Sequence, residues 1–172
     1  MPGYVIHLAV AEEYLKKHAN KKEQYNDFIE GVIFPDSVKD KSETHYGQGS
    51  SESNLYKFLQ EKKIDNSFNR GYFLHLMTDY LFYNKYIEYF SKDIYNDYDL
   101  INKGLMEKYN VVLPEKIAGF VFFKEGTDYK IITPKLTEQF IEDVSKLDIE
   151  QVAEEVIKDK EKWTTIRPLK KI

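Results

Sequence analysis

The sequence predicts a mainly α-helical domain, on three observations. Apolar residues recur at three- and four-residue spacing along most of the chain. Only one stretch, FVFFKEGTDYKIIT, breaks that pattern with residues that favour extended backbone. A chain of 172 residues, 42% hydrophobic and 15% aromatic, fits one domain with a sizeable core, so residues 1–172 are read as a single unit. No repeat, linker or low-complexity segment divides it.

Residues 5–18 form the first amphipathic helix, with Val5, Leu8, Ala9, Ala11 and Leu15 at a period near 3.6. Tyr25, Phe28, Ile29 and Val32 predict a second helix over 23–33, which Pro35 helps to end. Residues 34–51 contain SETHYGQGSSES and no hydrophobic period, so they read as a long polar loop. Ser51 or Ser53 then caps a helix near 53–63, where Leu55, Phe58 and Leu59 face inward. The segment 68–91 is apolar around more than half its circumference and predicts the central helix. Gly71 in its first turns lets a neighbouring backbone come close. Further helices follow over 94–109 and near 114–119. FVFF and YKII, flanking Lys124–Asp128, read either as a small β-hairpin near 120–132 or as one irregular extended connection. Helices over 135–146 and 149–161, the latter capped by Asp148, lead to an extended tail beyond Arg167.

Composition excludes several function classes. A net charge of −4 without a basic block gives no electrostatic case for a nucleic-acid partner. The absence of cysteine removes disulfides, thiolate metal ligands and a cysteine nucleophile. MPGYVIHLAVAEEYLKK lacks a basic region before its apolar run, and Glu12 and Glu13 break that run, so it does not read as a signal peptide. No stretch approaches the roughly 18–20 apolar residues of a membrane span. A soluble cytoplasmic protein is the expectation.

The four histidines carry the functional signal. His75 and Asp79 lie four apart in GYFLHLMTDYLF, about 40° apart in direction, so both side chains can meet one ion. A polar pair among Leu74, Leu76, Met77, Tyr80 and Leu81 is costly to bury unless something compensates it. Asp36, after the turn signal FPDS, and His45 can join it from the preceding loop. Taken alone, Asp36 reads as a turn residue or cap, and His45 as a solvated side chain. Together the four offer two nitrogens and two oxygens, a mixture that Zn²⁺ accepts and that Mn²⁺, Fe²⁺ or Ni²⁺ also accept. His18 lies eleven residues beyond His7, about 16 Å along a straight helix, and reads as a solvated helix-end residue.

The order of His7, GVIFPDSV with Asp36, THY with His45, and GYFLHLMTDYLF with His75 and Asp79 resembles the zinc-dependent phospholipase C and P1 nuclease superfamily, over roughly residues 3–84. The resemblance implies a compact multi-helix bundle of that type. It implies Asp36, His45, His75 and Asp79 as ligands of one ion, most simply zinc. It implies His7 as a ligand of a second, with Asp79 as a bridge. The chain departs from the family pattern after Asp79, where no further histidine occurs, and in starting MPGY rather than with the tryptophan whose amine ligates metal in the family. A reduced site of one ion, or at most two, is the consistent expectation. The implied chemistry is hydrolysis of a phosphodiester or phospholipid-like substrate by metal-activated water, with Asp36 as ligand and general base. Tyr46 and Tyr83 are candidates to contact phosphate, against ordinary packing, and Arg70 or a nearby Lys is a candidate to help the metal neutralise its charge. The competing expectation is a binding or regulatory protein that keeps the fold and one structural metal. An HD-type phosphohydrolase would need an adjacent His-Asp pair, and none occurs.

Overall fold

The computed structural model describes residues 3–171. Its helices are α1 Tyr4–Lys17, α2 Tyr25–Ile33, α3 Lys41–His45, α4 Leu55–Glu61, α5 Ser67–Leu81, α6 Asp93–Tyr109, α7 Glu115–Ala118, α8 Pro134–Ser145 and α9 Ile149–Lys158. The fold is mainly α-helical, as the hydrophobic spacing predicts. No described helix is long and apolar enough to cross a membrane.

α5 is the central helix. Every residue from Arg70 to Tyr80 is buried, because α1, α2, α4, α8 and α9 all pack on it. Its closest neighbour is α2, and two glycines make that contact possible. A β-carbon on Gly31 would collide with the carbonyl oxygen of Phe68, and one on Gly71 with that of Phe28. The two backbones therefore touch directly, as Gly71 foretold, and this brings the carbonyl of Val32 within reach of His75 on α5.

Several boundaries differ from expectation. α5 stops at Leu81 instead of continuing to 91, and a π-helical turn, Phe82–Tyr86, follows. The side chain of Asn84 holds the wide turn by donating to the Tyr80 carbonyl at 2.9 Å and accepting from the Arg167 amide at 2.7 Å. α4 is capped by Asn54, which accepts from the Lys57 amide at 3.0 Å, and not by Ser51 or Ser53. Asp148 caps α9 as predicted, but α9 ends at Lys158 and a 3₁₀ turn covers Lys160–Trp163.

The hairpin near 120–132 does not form. Those residues run as one extended connection, and α6 takes the hydrogen-bonding groups that a hairpin would pair internally. The carboxylate of Asp97 accepts from the amides of Lys130, Ile131 and Ile132 at 2.9, 2.6 and 3.0 Å. The Asp99 carbonyl accepts from the Lys124 amide at 2.9 Å, and Asn102 donates to the Phe122 carbonyl at 3.0 Å. Pairing occurs elsewhere: β1 Tyr89–Phe90 lies parallel to β2 Lys170–Lys171 in the tail.

Candidate metal centre

The segment 34–51 is more ordered than its polar composition predicts. A 3₁₀ turn, Phe34–Asp36, presents Asp36 directly after α2. Asp40 then caps α3 by accepting from the Ser42 amide. The signal was present as Asp40 followed three residues later by Glu43, a helix-start pattern. The residue after α3 is Tyr46, whose φ of 61° is unusual for an aromatic residue. This short helix carries His45 into the interior, where Thr44 donates to the Pro35 carbonyl at 2.8 Å and fixes α3 against the Asp36 turn.

Asp36, His45, His75 and Asp79 converge as predicted, each offering a ligand atom within 4.8 Å of the others. Their side chains are fully shielded from solvent. Nδ1 of His75 lies 2.6 Å from the Val32 carbonyl, and Nδ1 of His45 lies 2.9 Å from the Lys41 carbonyl. A carbonyl only accepts, so both Nδ1 atoms carry their protons and both Nε2 atoms turn inward. The two Nε2 atoms are 3.3 Å apart. Oδ2 of Asp79 is 2.9 Å from His45 Nε2 and 3.1 Å from His75 Nε2, and Oδ1 of Asp36 is 3.5 and 3.6 Å from the same atoms.

The lengths are those of hydrogen bonds, but the directions are not. Neither oxygen of Asp79 has a hydrogen-bond partner, and Oδ2 of Asp36 also lacks one. The ligand atoms of the four side chains gather around one shared space, and the two Nε2 atoms face each other across it. Buried carboxylates in that condition are costly unless a cation compensates them. A backbone carbonyl holding the outer ring nitrogen of each imidazole is the usual arrangement for histidine ligands.

Electrostatics agree with a divalent cation. Burial alone would depress the His75 imidazole, but Asp79 and Asp36 outweigh it and raise its pKa to about 10. Burial opposes protonation of His45 as well, and the same two carboxylates raise it. Asp36 and Asp79 are held below the usual carboxylate range because the imidazoles beside them overcome the effect of burial. Two carboxylates held in the charged form and two imidazoles whose inner nitrogens can give up a proton are a donor set that fits one divalent ion.

No family model, curated protein or solved structure matches this chain.

His7 occupies a separate position. Its ring stacks on His75 at 3.7 Å with the planes 4° apart. Its Nε2 lies 3.0 Å from Asp79 Oδ1 and 3.9 Å from Asp36 Oδ2, the oxygens turned away from His45 and His75. Neither ring nitrogen of His7 has a hydrogen bond. Burial and then the neighbouring His75 depress its pKa, which keeps it neutral and able to donate a lone pair. Asp36 and Asp79 therefore each show one oxygen to a four-residue group and one to His7.

The remaining candidates fall away from the centre. His18 is half-buried, and its Nε2 lies 3.1 Å from the Ser145 carbonyl while the ring stacks on Tyr14. It is a tethered helix end and not a solvated one. Arg70 is bound to Glu23 and Glu150 at 2.5 Å each, so it is a structural ion pair. Tyr46 packs against Phe58 and Tyr72. Tyr83 borders a cavity of about 500 Å³. Sequence reasoning missed Lys41, whose ammonium lies 3.1 Å from both Oδ1 and the carbonyl oxygen of Asp36. The signal was its place four residues before His45, on the same face of α3.

Proposed function

We propose that this protein is a metal-dependent hydrolase of a phosphoester, a reduced relative of the zinc-dependent phospholipase C and P1 nuclease superfamily. One observation carries the reading: two carboxylates and two imidazoles converge in the interior with carboxylate oxygens left without hydrogen bonds. Asp36, His45, His75 and Asp79 would hold the first ion. His7, with the outward oxygens of Asp79 and Asp36, would hold a second. A divalent ion there supplies a water of lowered pKa and polarises a phosphoryl oxygen.

The chain's own residues set the stage for that chemistry. The Val32 and Lys41 carbonyls hold the imidazoles in the tautomer that ligates. Asp36 is the general base that the resemblance implies; the residue lines a cavity of about 860 Å³, while its carboxylate is shielded from solvent. The Tyr4 hydroxyl donates to the Asp36 carbonyl at 2.9 Å and fixes the turn that carries it.

A second reading has one observation in its favour. The ligand side chains are closed to solvent, and structural metal sites are closed while catalytic ones keep an open position. The protein would then keep one structural ion and act by binding a partner. Elemental analysis of protein purified without added metal, followed by turnover of generic phosphodiesters and phosphomonoesters with Zn²⁺ or Mn²⁺, separates the readings. Metal-dependent turnover that collapses in Asp36→Asn supports the enzyme. Bound metal without turnover of any such substrate supports the structural ion, and no metal at any ratio sinks both.

A further inference from the structure

Lys41 touches two of the four residues of the cluster. Its backbone carbonyl lies 2.9 Å from Nδ1 of His45. Its ammonium lies 3.1 Å from both Oδ1 and the carbonyl oxygen of Asp36. Oδ1 is the oxygen that Asp36 turns toward His45 and His75. It is nearer to the ammonium than to either Nε2, which lie 3.5 and 3.6 Å away. Asp79 differs, with Oδ2 at 2.9 and 3.1 Å from the same two nitrogens. Among the described residues, no lysine or arginine pairs with Asp79.

The ammonium is not needed to place Asp36. The Tyr4 hydroxyl donates to the Asp36 carbonyl at 2.9 Å, and Thr44 donates to the Pro35 carbonyl at 2.8 Å, so other residues hold the backbone of the turn. What the ammonium adds is charge, beside a side chain closed to solvent. A buried carboxylate is costly without such compensation. A divalent ion on Oδ1 would stand beside that ammonium, and like charges at such a distance repel. The Lys41 side chain keeps 28% of its surface exposed. It borders cavities of about 500 and about 860 Å³, so its flexible stem has space to draw back.

We infer that Lys41 is the resident counter-cation of Asp36: it neutralises this ligand in the metal-free protein, competes with the ion for Oδ1, and so lowers the affinity of the centre and makes its ion exchangeable. The inference rests on the reading of the buried cluster as a metal site. It makes the two carboxylates unequal. Asp79 is reserved for the ion, and Asp36 is shared between the ion and a side chain that takes its place when the ion leaves.

Zinc titration in competition with a chelator of known affinity tests this, together with thermal melts of the metal-free protein. Lys41→Met leaves the backbone carbonyl and removes the charge. It should bind the first equivalent of Zn²⁺ at least about tenfold more tightly, the worth of one hydrogen bond to a charged group. Its metal-free form should melt at a lower temperature than the wild type. The two shifts have opposite signs, which loss of a merely structural contact does not produce. Lys41→Gln also removes the charge and should tighten zinc binding in the same direction, which covers failure of Lys41→Met to fold. Lys41→Arg keeps the charge and should stay within about threefold of wild type. If Lys41 acts only by orienting its ligand, the neutral variants lose about tenfold or more in zinc affinity, and the inference is overturned. Unchanged affinity overturns it too. A wild type that binds no zinc defeats the metal reading itself, which is a different failure from either.

Discussion

Asp97 and Asp79 are both fully buried aspartates, each on a long helix, yet they are satisfied in opposite ways. Asp97 on α6 accepts three backbone amides from residues 130–132. Those donors lie at hydrogen-bond distance and point at its oxygens. Asp79 on α5 has three imidazole nitrogens within 3.1 Å and no hydrogen bond to either oxygen. The contrast separates a carboxylate with structural partners from one placed where a metal ion could bind. Burial is the same, so burial does not distinguish them; the direction of the nearby donors does. Asp97 completes the fold, and Asp79 keeps both oxygens free of hydrogen bonds in a cluster that could hold an ion.

The largest effect should come from the satisfied carboxylate. Asp97→Ala strands three amides in a segment with no other partner for them, at about 1–3 kcal/mol per buried unsatisfied group. A loss on the order of 3–5 kcal/mol in chemical denaturation is expected. Proteolysis within residues 120–133 should rise with it. Near wild-type stability would mean that another group takes over those amides, and the contrast would lose its first half.

Next comes the added ion. A metal that binds only the folded chain stabilises it by about 4 kcal/mol at a thousandfold excess over its dissociation constant. Asp79→Asn should abolish most of that increment in thermal melts with Zn²⁺. A variant at Asp97 should keep the increment, on a lower baseline. If both variants respond to Zn²⁺ alike, the distinction drawn from donor direction is wrong.

Much of this difference could be read from residue order alone, and part of it could not. Spacing placed His75 and Asp79 on one face of a buried helix, and Gly71 announced the close approach of α2. The apolar content of 68–91 did not reveal that α5 yields to a π-helical turn after Leu81, because the residues that hold the turn, Asn84 and Arg167, are 83 apart in sequence. FVFF and YKII have strand-like composition, but the partner of the 130–132 amides is a side chain on α6, and β-propensity carries no information about such a partner. Lys41 lies in a segment without hydrophobic period, where only the Asp40–Glu43 start pattern marks a five-residue helix. Tertiary contact decided each of these, and local sequence decided the rest.

A third effect concerns pH and has opposite signs with and without metal. In the metal-free protein, His75 titrates near 10 and His45 above its ordinary value. An unfolded imidazole titrates near 6.5. The stabilisation from these raised groups is therefore complete below about pH 6.5 and is lost as pH rises toward 10. Asp36 and Asp79, held low, contribute above the ordinary carboxylate range and lose their contribution in acid. Zinc competes with the imidazole protons, so its stabilising increment should grow as pH rises from about 6.5. Melting temperatures with and without Zn²⁺ should thus diverge with increasing pH. Parallel curves would show that no proton leaves when the ion enters.

The smallest effect on the first ion should come from His7, and it tests how far the contrast extends. His7 contributes to neither hydrogen bond that orients His45 and His75. It faces only the oxygens of Asp79 and Asp36 that the four-residue group leaves unused. His7→Gln keeps a polar side chain over the His75 ring and removes the imidazole lone pair. Affinity for the first equivalent of Zn²⁺ should change by no more than about threefold, less than the roughly tenfold or greater loss typical of removing an outer-shell partner of a ligand. Any second equivalent should disappear. If the first equivalent also falls by tenfold or more, the five residues act as one inseparable set. The two carboxylates would then not divide their oxygens between two positions, and Asp79 would be satisfied by a single ion from both sides.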